Sequence, residues 1–91
     1  MSDLKPQDVP VFNCLVIVSP RDAEGFVSAR AAELAGIEGR GKSEREALAQ
    51  VVIQFKDFVS RRYAAGDEIP WLKPPLVAQP GEQQRFIAVH L

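Results

Sequence analysis

His90 is the only histidine and Cys14 the only cysteine in the 91 residues, and those two counts bound the available chemistry. A hydrolytic triad needs a histidine beside its nucleophile, which leaves His90 as the single candidate base. In a terminal run that alternates apolar and polar residues, a lone histidine reads more simply as a solvent-facing side chain. Cys14 sits among Phe12, Leu15 and Val16 and reads as a small core residue. A metal site needs several ligands at workable spacing, and one histidine and one cysteine on different predicted strands do not supply them. The expectation is a domain without a catalytic group, a metal or a cofactor.

One run argues the other way. Gly36-Ile37-Glu38-Gly39-Arg40-Gly41-Lys42-Ser43 matches the phosphate-loop pattern letter for letter. A phosphate loop, however, follows a buried parallel strand inside a sheet of several βα units, which needs well over the length available here. The residues before Gly36 are Ala-Ala-Glu-Leu-Ala, a poor buried strand, and no later strand offers an acidic metal ligand. Turns followed by a helix cap are the favoured reading. A small nucleotide- or nucleic-acid-binding domain stands as the alternative function.

The elements around these residues are unevenly legible. Residues 1–10, with Pro6 and Pro10, read as a loose lead-in, and residues 11–91 as one domain. Val11–Val18 is apolar apart from Asn13 and rich in β-branched residues, as a strand buried on both faces, or nearly so, would be. Residues 23–35 are ambiguous. Abundant alanines, Pro20 and Gly36 suit a helix, and propensity alone favours one. Yet Val27, Ala29 and Ala31 alternate as on a strand, with Gly25 placed for a hairpin turn.

The next element is plain. Ser43 with Glu46 forms a capping box, and Leu48, Val51, Val52, Phe55, Phe58 and Val59 recur at three- and four-residue steps. Arg45, Gln50, Lys56, Asp57 and Ser60 lie opposite, and Gly66 ends an amphipathic helix of roughly six turns. Residues 67–84 hold Pro70, Pro74, Pro75 and Pro80 and read as an extended arm. The last run, Arg85–Leu91, alternates so that Ile87, Val89 and Leu91 face the core.

Composition excludes more than it selects. The chain is 46% hydrophobic and 25% charged with a formal net charge of −1, so strong phosphate-driven binding is not expected. The lone thiol suits a reducing cytoplasm, and no apolar run is long enough for a membrane span. Trp71, flanked by Pro70 and Pro74, either pins the arm to the core or anchors a partner. Leu72 beside it, with Arg61 and Arg62 at the helix end, completes the candidate partner-binding set.

Taken in order, these pieces resemble the N-terminal domain of HicB-family antitoxins from about Phe12 to Pro75. An apolar strand ends in Ser19-Pro20; Gly25-Phe26-Val27 follows. Ala32-Glu33-Leu34-Ala35-Gly36 stands where the family carries Pro-Asp-Leu-Pro-Gly. Gly41-Lys42-Ser43 and Glu46-Ala47-Leu48 match its cap and helix opening, and Gly66-Asp67-Glu68-Ile69-Pro70 its helix exit. The resemblance implies an α+β domain of β-β-β-α-β order, partial RNase H-like, with an antiparallel-rich sheet and one long helix on one face. It makes residues 25–31 a strand.

It also implies a protein-binding module that neutralises a HicA-like RNase toxin, or an orphan relative with another partner. Two departures matter. Alanines replace both loop prolines, at Ala32 and Ala35, which suggests a less rigid loop. Typical members continue into a DNA-binding domain that the 91 residues do not contain, so specific DNA binding by this domain alone is not expected. Because one helix covers only one sheet face, a homodimer is expected as well.

Overall fold

The computed structural model describes residues 10–91; of the lead-in expected over residues 1–10, residues 1–9 lie outside that range. Five elements follow in the order β1 (Val11–Val18), β2 (Val27–Ala31), β3 (Glu38–Gly41), α1 (Glu44–Ala65) and β4 (Gln83–His90). The strands form one sheet in the order β3-β2-β1-β4, with every neighbouring pair antiparallel. The helix packs on one face, giving the α+β fold of β-β-β-α-β order.

The alanine-rich segment is a strand. Val27, Ala29 and Ala31 are buried, Ser28 and Arg30 alternate with them, and Val16 pairs with Ala31 in β1. Tertiary pairing overrides a local helix preference that amounts to only a few tenths of a kcal/mol per residue. The connection from β1 is fixed by Asp22, whose Oδ1 accepts the amides of Glu24 and Phe26, both at 2.9 Å, beside Gly25 at φ 88°.

The two helix ends follow the sequence signals. Ser43 Oγ accepts the Glu46 amide at 3.2 Å, and Glu46 Oε1 accepts the Lys42 amide at 2.9 Å. At the other end Gly66 adopts φ 74°, and the Asp67 amide returns to the Arg62 carbonyl at 2.9 Å. Only glycine takes that left-handed conformation without cost, and the bond satisfies an orphan carbonyl.

The expected Val51, Phe55 and Val59 form the buried stripe of the helix, and Ala47 joins them on the same line. Ala47, Val51, Phe55 and Val59 are buried, whereas Leu48, Val52 and Phe58 flank them half-exposed. The reason lies beneath the helix. Gly39 and Gly41 present no side chain, so the helix backbone at Ala47 approaches β3 directly, and a Cβ added at Gly39 would collide with the Ala47 carbonyl. Smallness on both sides draws the Ala47 line closest to the sheet.

Three other expectations need adjusting. β1 is buried at Cys14 and Val16–Val18, but Val11 is half-exposed and Asn13 exposed, so the strand is not buried along its length. β4 begins at Gln83, where it pairs with Val18, so the arm is two residues shorter than expected. Residues 38–41, in the run read as turns before a helix cap, form the regular edge strand β3. No helix among the described residues is long and apolar enough to cross a membrane.

Candidate protein-binding surface

After α1 the chain must return to the start of β4 at the opposite end of the sheet, and the proline-bearing arm makes that journey. It leaves the helix beside Trp71, whose ring lies 6.0 Å from Phe12 and 6.1 Å from Phe55. Tyr63 meets Phe12 edge-on at 6.2 Å. Trp71 is half-buried and pins the arm to the core, which is the simpler of its two readings. The Leu72 amide donates to the Glu33 carbonyl and the Leu76 amide to the Ala32 carbonyl, each at 2.8 Å.

Ala32 has a definite structural role. Its amide donates to the Leu15 carbonyl at 2.8 Å, a bond no proline makes, and the residue is fully buried. The loop that was expected to loosen is tied to β1 on one side and to the arm on the other.

Of the four candidate residues, three come together. Trp71 and Leu72 border a shallow groove of about 340 Å³ that also includes Phe12, Lys73 and Pro74. Arg62 borders the adjoining groove with Trp71 and Ile69, its guanidinium 4.8 Å from the Phe58 ring centre. Arg61 stands apart, exposed and paired with Asp57 at 3.1 Å along its own helix. It borders neither groove.

The end of the arm is clamped. Glu82 accepts two hydrogen bonds from Arg30, one from the Gln79 amide and one from the Ser19 hydroxyl, all at 2.8 Å. The Arg30 guanidinium, then the Gln79 amide and the Ser19 hydroxyl, hold the Glu82 carboxyl down to about 2. Arg30 lies in β2 and Glu82 immediately before β4, so the pair spans β1 at Ile17, which shares a cross-strand row with Arg30 and Gln84. This explains why Ile17 is fully buried on the face away from the helix.

The two sheet edges differ in a way that was not legible from residue patterns. On β3, Gln50 pairs through its side-chain amide with both backbone groups of Arg40, at 2.9 and 2.8 Å. Gln54 does the same for Glu38, at 3.3 and 2.6 Å. Two glutamines one helical turn apart thus occupy the hydrogen-bonding positions of a fifth strand, and Gln50 is not on a purely solvated face. On β4 no such closure is found among the described residues. The Leu91 amide donates to the Pro10 carbonyl, so odd-numbered residues of β4 bond toward β1 and even-numbered ones bond outward. Gln84, Phe86, Ala88 and His90 therefore point their amides and carbonyls away from the sheet. Phe86 is 74% exposed.

The groups that suggested chemistry are placed as follows. His90 is exposed near the end of β4, and Cys14 is fully buried, with burial raising its thiol to about 11. In the glycine-rich run the Glu38, Arg40 and Lys42 amides are all taken by helix side chains, and the run is strand rather than an open cradle. Among the described residues no three metal-binding side chains cluster. Scans against family models, curated proteins and solved structures each found no match to this chain.

Proposed function

We propose that the chain is a non-enzymatic protein-binding module of the HicB-like kind, acting in the cytoplasm as a homodimer. Its partner is a HicA-like RNase toxin or, for an orphan relative, another protein. The observation that carries the binding reading is the contrast between the two edges. A fold that closes β3 with two glutamines leaves β4, eight residues long and carrying the exposed Phe86, as the edge open to another strand among the described residues. Long bare edges invite pairing, and proteins otherwise blunt them with charge, proline or cover. The element order and the motifs from Phe12 to Pro75 support the HicB-like part.

A toxin would be occluded by contact, so the surface needs an anchor and charge rather than a catalytic group. The ledge of Trp71, Leu72 and Arg62 supplies both, and its proline bracing limits the ordering entropy lost on binding. The test is titration of the purified product of the neighbouring reading frame with wild type, Trp71→Ala and Arg62→Ala, with circular dichroism in parallel. Binding that suppresses the partner's RNase activity is expected, and folded Trp71→Ala should weaken it by about 2 kcal/mol, the scale of a hot spot. Arg62→Ala, which removes a guanidinium from over the Phe58 ring and no fully buried side chain, covers the case in which Trp71→Ala unfolds. Affinity unchanged in both variants would remove the ledge from the interface, and a neighbour that neither binds nor loses activity would remove the antitoxin reading.

A further inference from the structure

The open edge of β4 can be matched to an occupant by asking which strand satisfies it best. Its outward-bonding residues are Gln84, Phe86, Ala88 and His90, with no proline and no formal charge among them. Two copies related by a two-fold axis present antiparallel edges to each other, and the axis position fixes the register. Centred on Ile87, the pairing sets Gln84 against His90 of the second copy and Phe86 against Ala88, each twice by symmetry. All four outward residues then bond, giving about eight ladder hydrogen bonds, whereas centring on Phe86 gives about six. The Ile87 register also places a large ring over a small residue on both sides of the axis. Arg85 meets Val89, so no like charges face each other.

We propose, resting on the protein-binding reading above, that β4 pairs antiparallel with β4 of a second copy about a two-fold axis at Ile87, joining two sheets into one of eight strands. Both helices then lie on the same face of the joined sheet, because residues opposite each other across an antiparallel pair point the same way. Assembly stops at two copies. Each chain brings one open edge among the described strands, since Gln50 and Gln54 already fill the other. Fourteen paired residues bury roughly 600–800 Å² in total, below the ~1,200 Å² of a standard interface. The ladder carries the affinity, and the dimer dissociates at about 1–100 µM.

Sedimentation velocity from about 1 to 500 µM tests this on wild type, Phe86→Lys and Ala88→Pro. Phe86 is exposed and the Ala88 amide faces outward, so neither change removes a contact inside one chain. The expected result is a monomer–dimer equilibrium weakened at least tenfold in both variants, with the far-ultraviolet dichroism of dilute protein unchanged. Phe86→Lys decides alone if Ala88→Pro fails to fold. A wild type that stays monomeric at about 500 µM overturns the proposal, as does a dimer indifferent to Phe86→Lys or a series of species larger than two. If the chain is monomeric but Phe86→Lys abolishes capture of the neighbouring gene product, the edge belongs to a foreign strand and only the second copy is refuted. A homodimer with no heterologous partner would leave the edge proposal standing and remove the antitoxin reading.

Discussion

Gly39→Ala should destabilise the domain although it replaces a glycine in a strand, where alanine is ordinarily the better residue. Removing glycine's freedom from the unfolded chain would by itself stabilise by about 0.4–1 kcal/mol. The new methyl group, however, would overlap the Ala47 carbonyl, sit 2.8 Å from Gln50 Cβ and lie 3.3 Å from the Ala47 carbonyl carbon. Carbon contacts are comfortable near ~3.5–4.0 Å, so α1 must retreat by about 1 Å. The obstacle is helix backbone, which cannot rotate out of the way as a side chain could.

That retreat has two costs. Overpacking strain is about 1–3 kcal/mol. Lifting the helix also strains the two Gln50 bonds to Arg40, each of which contributes about 1 kcal/mol. The net expectation is a loss of about 2–4 kcal/mol. Urea denaturation of dilute protein followed by circular dichroism reads it as a midpoint lowered by roughly 2–4 M, given a slope near ~1 kcal/mol/M for a small domain. Gly36→Ala is the control. Gly36 has φ 83° with open space around its Cβ, so only backbone strain applies, about 1 kcal/mol. If Gly39→Ala matched or exceeded wild-type stability, close approach would not be the reason for glycine at that position, and turn flexibility would regain its place.

Two further perturbations test the core and the clamp. Phe55, 1% exposed and in contact with Trp71, should lose about 3–5 kcal/mol on replacement by Ala, most of the stability of a small domain, as read by the same urea assay. Glu82, held at about 2 in the folded chain, contributes stability that is complete above the ordinary carboxylate value of 4.5 and is lost as the pH falls through about 2. Thermal midpoints measured from pH 7 down to 2 should therefore fall less steeply for Glu82→Gln than for wild type, and parallel curves would show that the clamp does not govern acid sensitivity.

Legibility in the sequence followed how local each cause was. Helix α1 was readable because Ser43, Glu46 and Gly66 act within one turn of their own positions and Val51, Phe55 and Val59 repeat at helical spacing. β2 was not readable from propensity, because its alanines suit a helix in isolation and become strand only through pairing with β1 and β3. The resemblance supplied that element. Trp71 was identified as important, but whether it faced core or partner depended on Phe12 and Phe55, which lie far away in sequence. Gln50 looked like an ordinary solvated residue and Gln54 passed unnoticed. Their role exists only once Arg40 and Glu38 lie alongside. The glycine-rich run was visible, yet its physical reason is the helix backbone above it rather than a turn or a phosphate.

Close packing and edge closure here have one cause. A glutamine side chain is short, and it reaches a strand's backbone with both ends of its amide only if the helix lies unusually near the sheet. Gly39, Gly41, Ala29 and Ala31 beneath, with Ala47 above, allow that distance; Gln50 and Gln54 then close β3. Larger residues at those positions would push the helix out and uncover the edge, whatever they added in buried area. Among the described strands the sheet would then carry two open edges instead of one, and the proposed pairing would no longer be limited to two copies. If β4 pairs as proposed, the small residues under α1 limit how the protein assembles as well as how it folds, and the apolar area they forgo is offset by one well-defined pairing edge among the described strands.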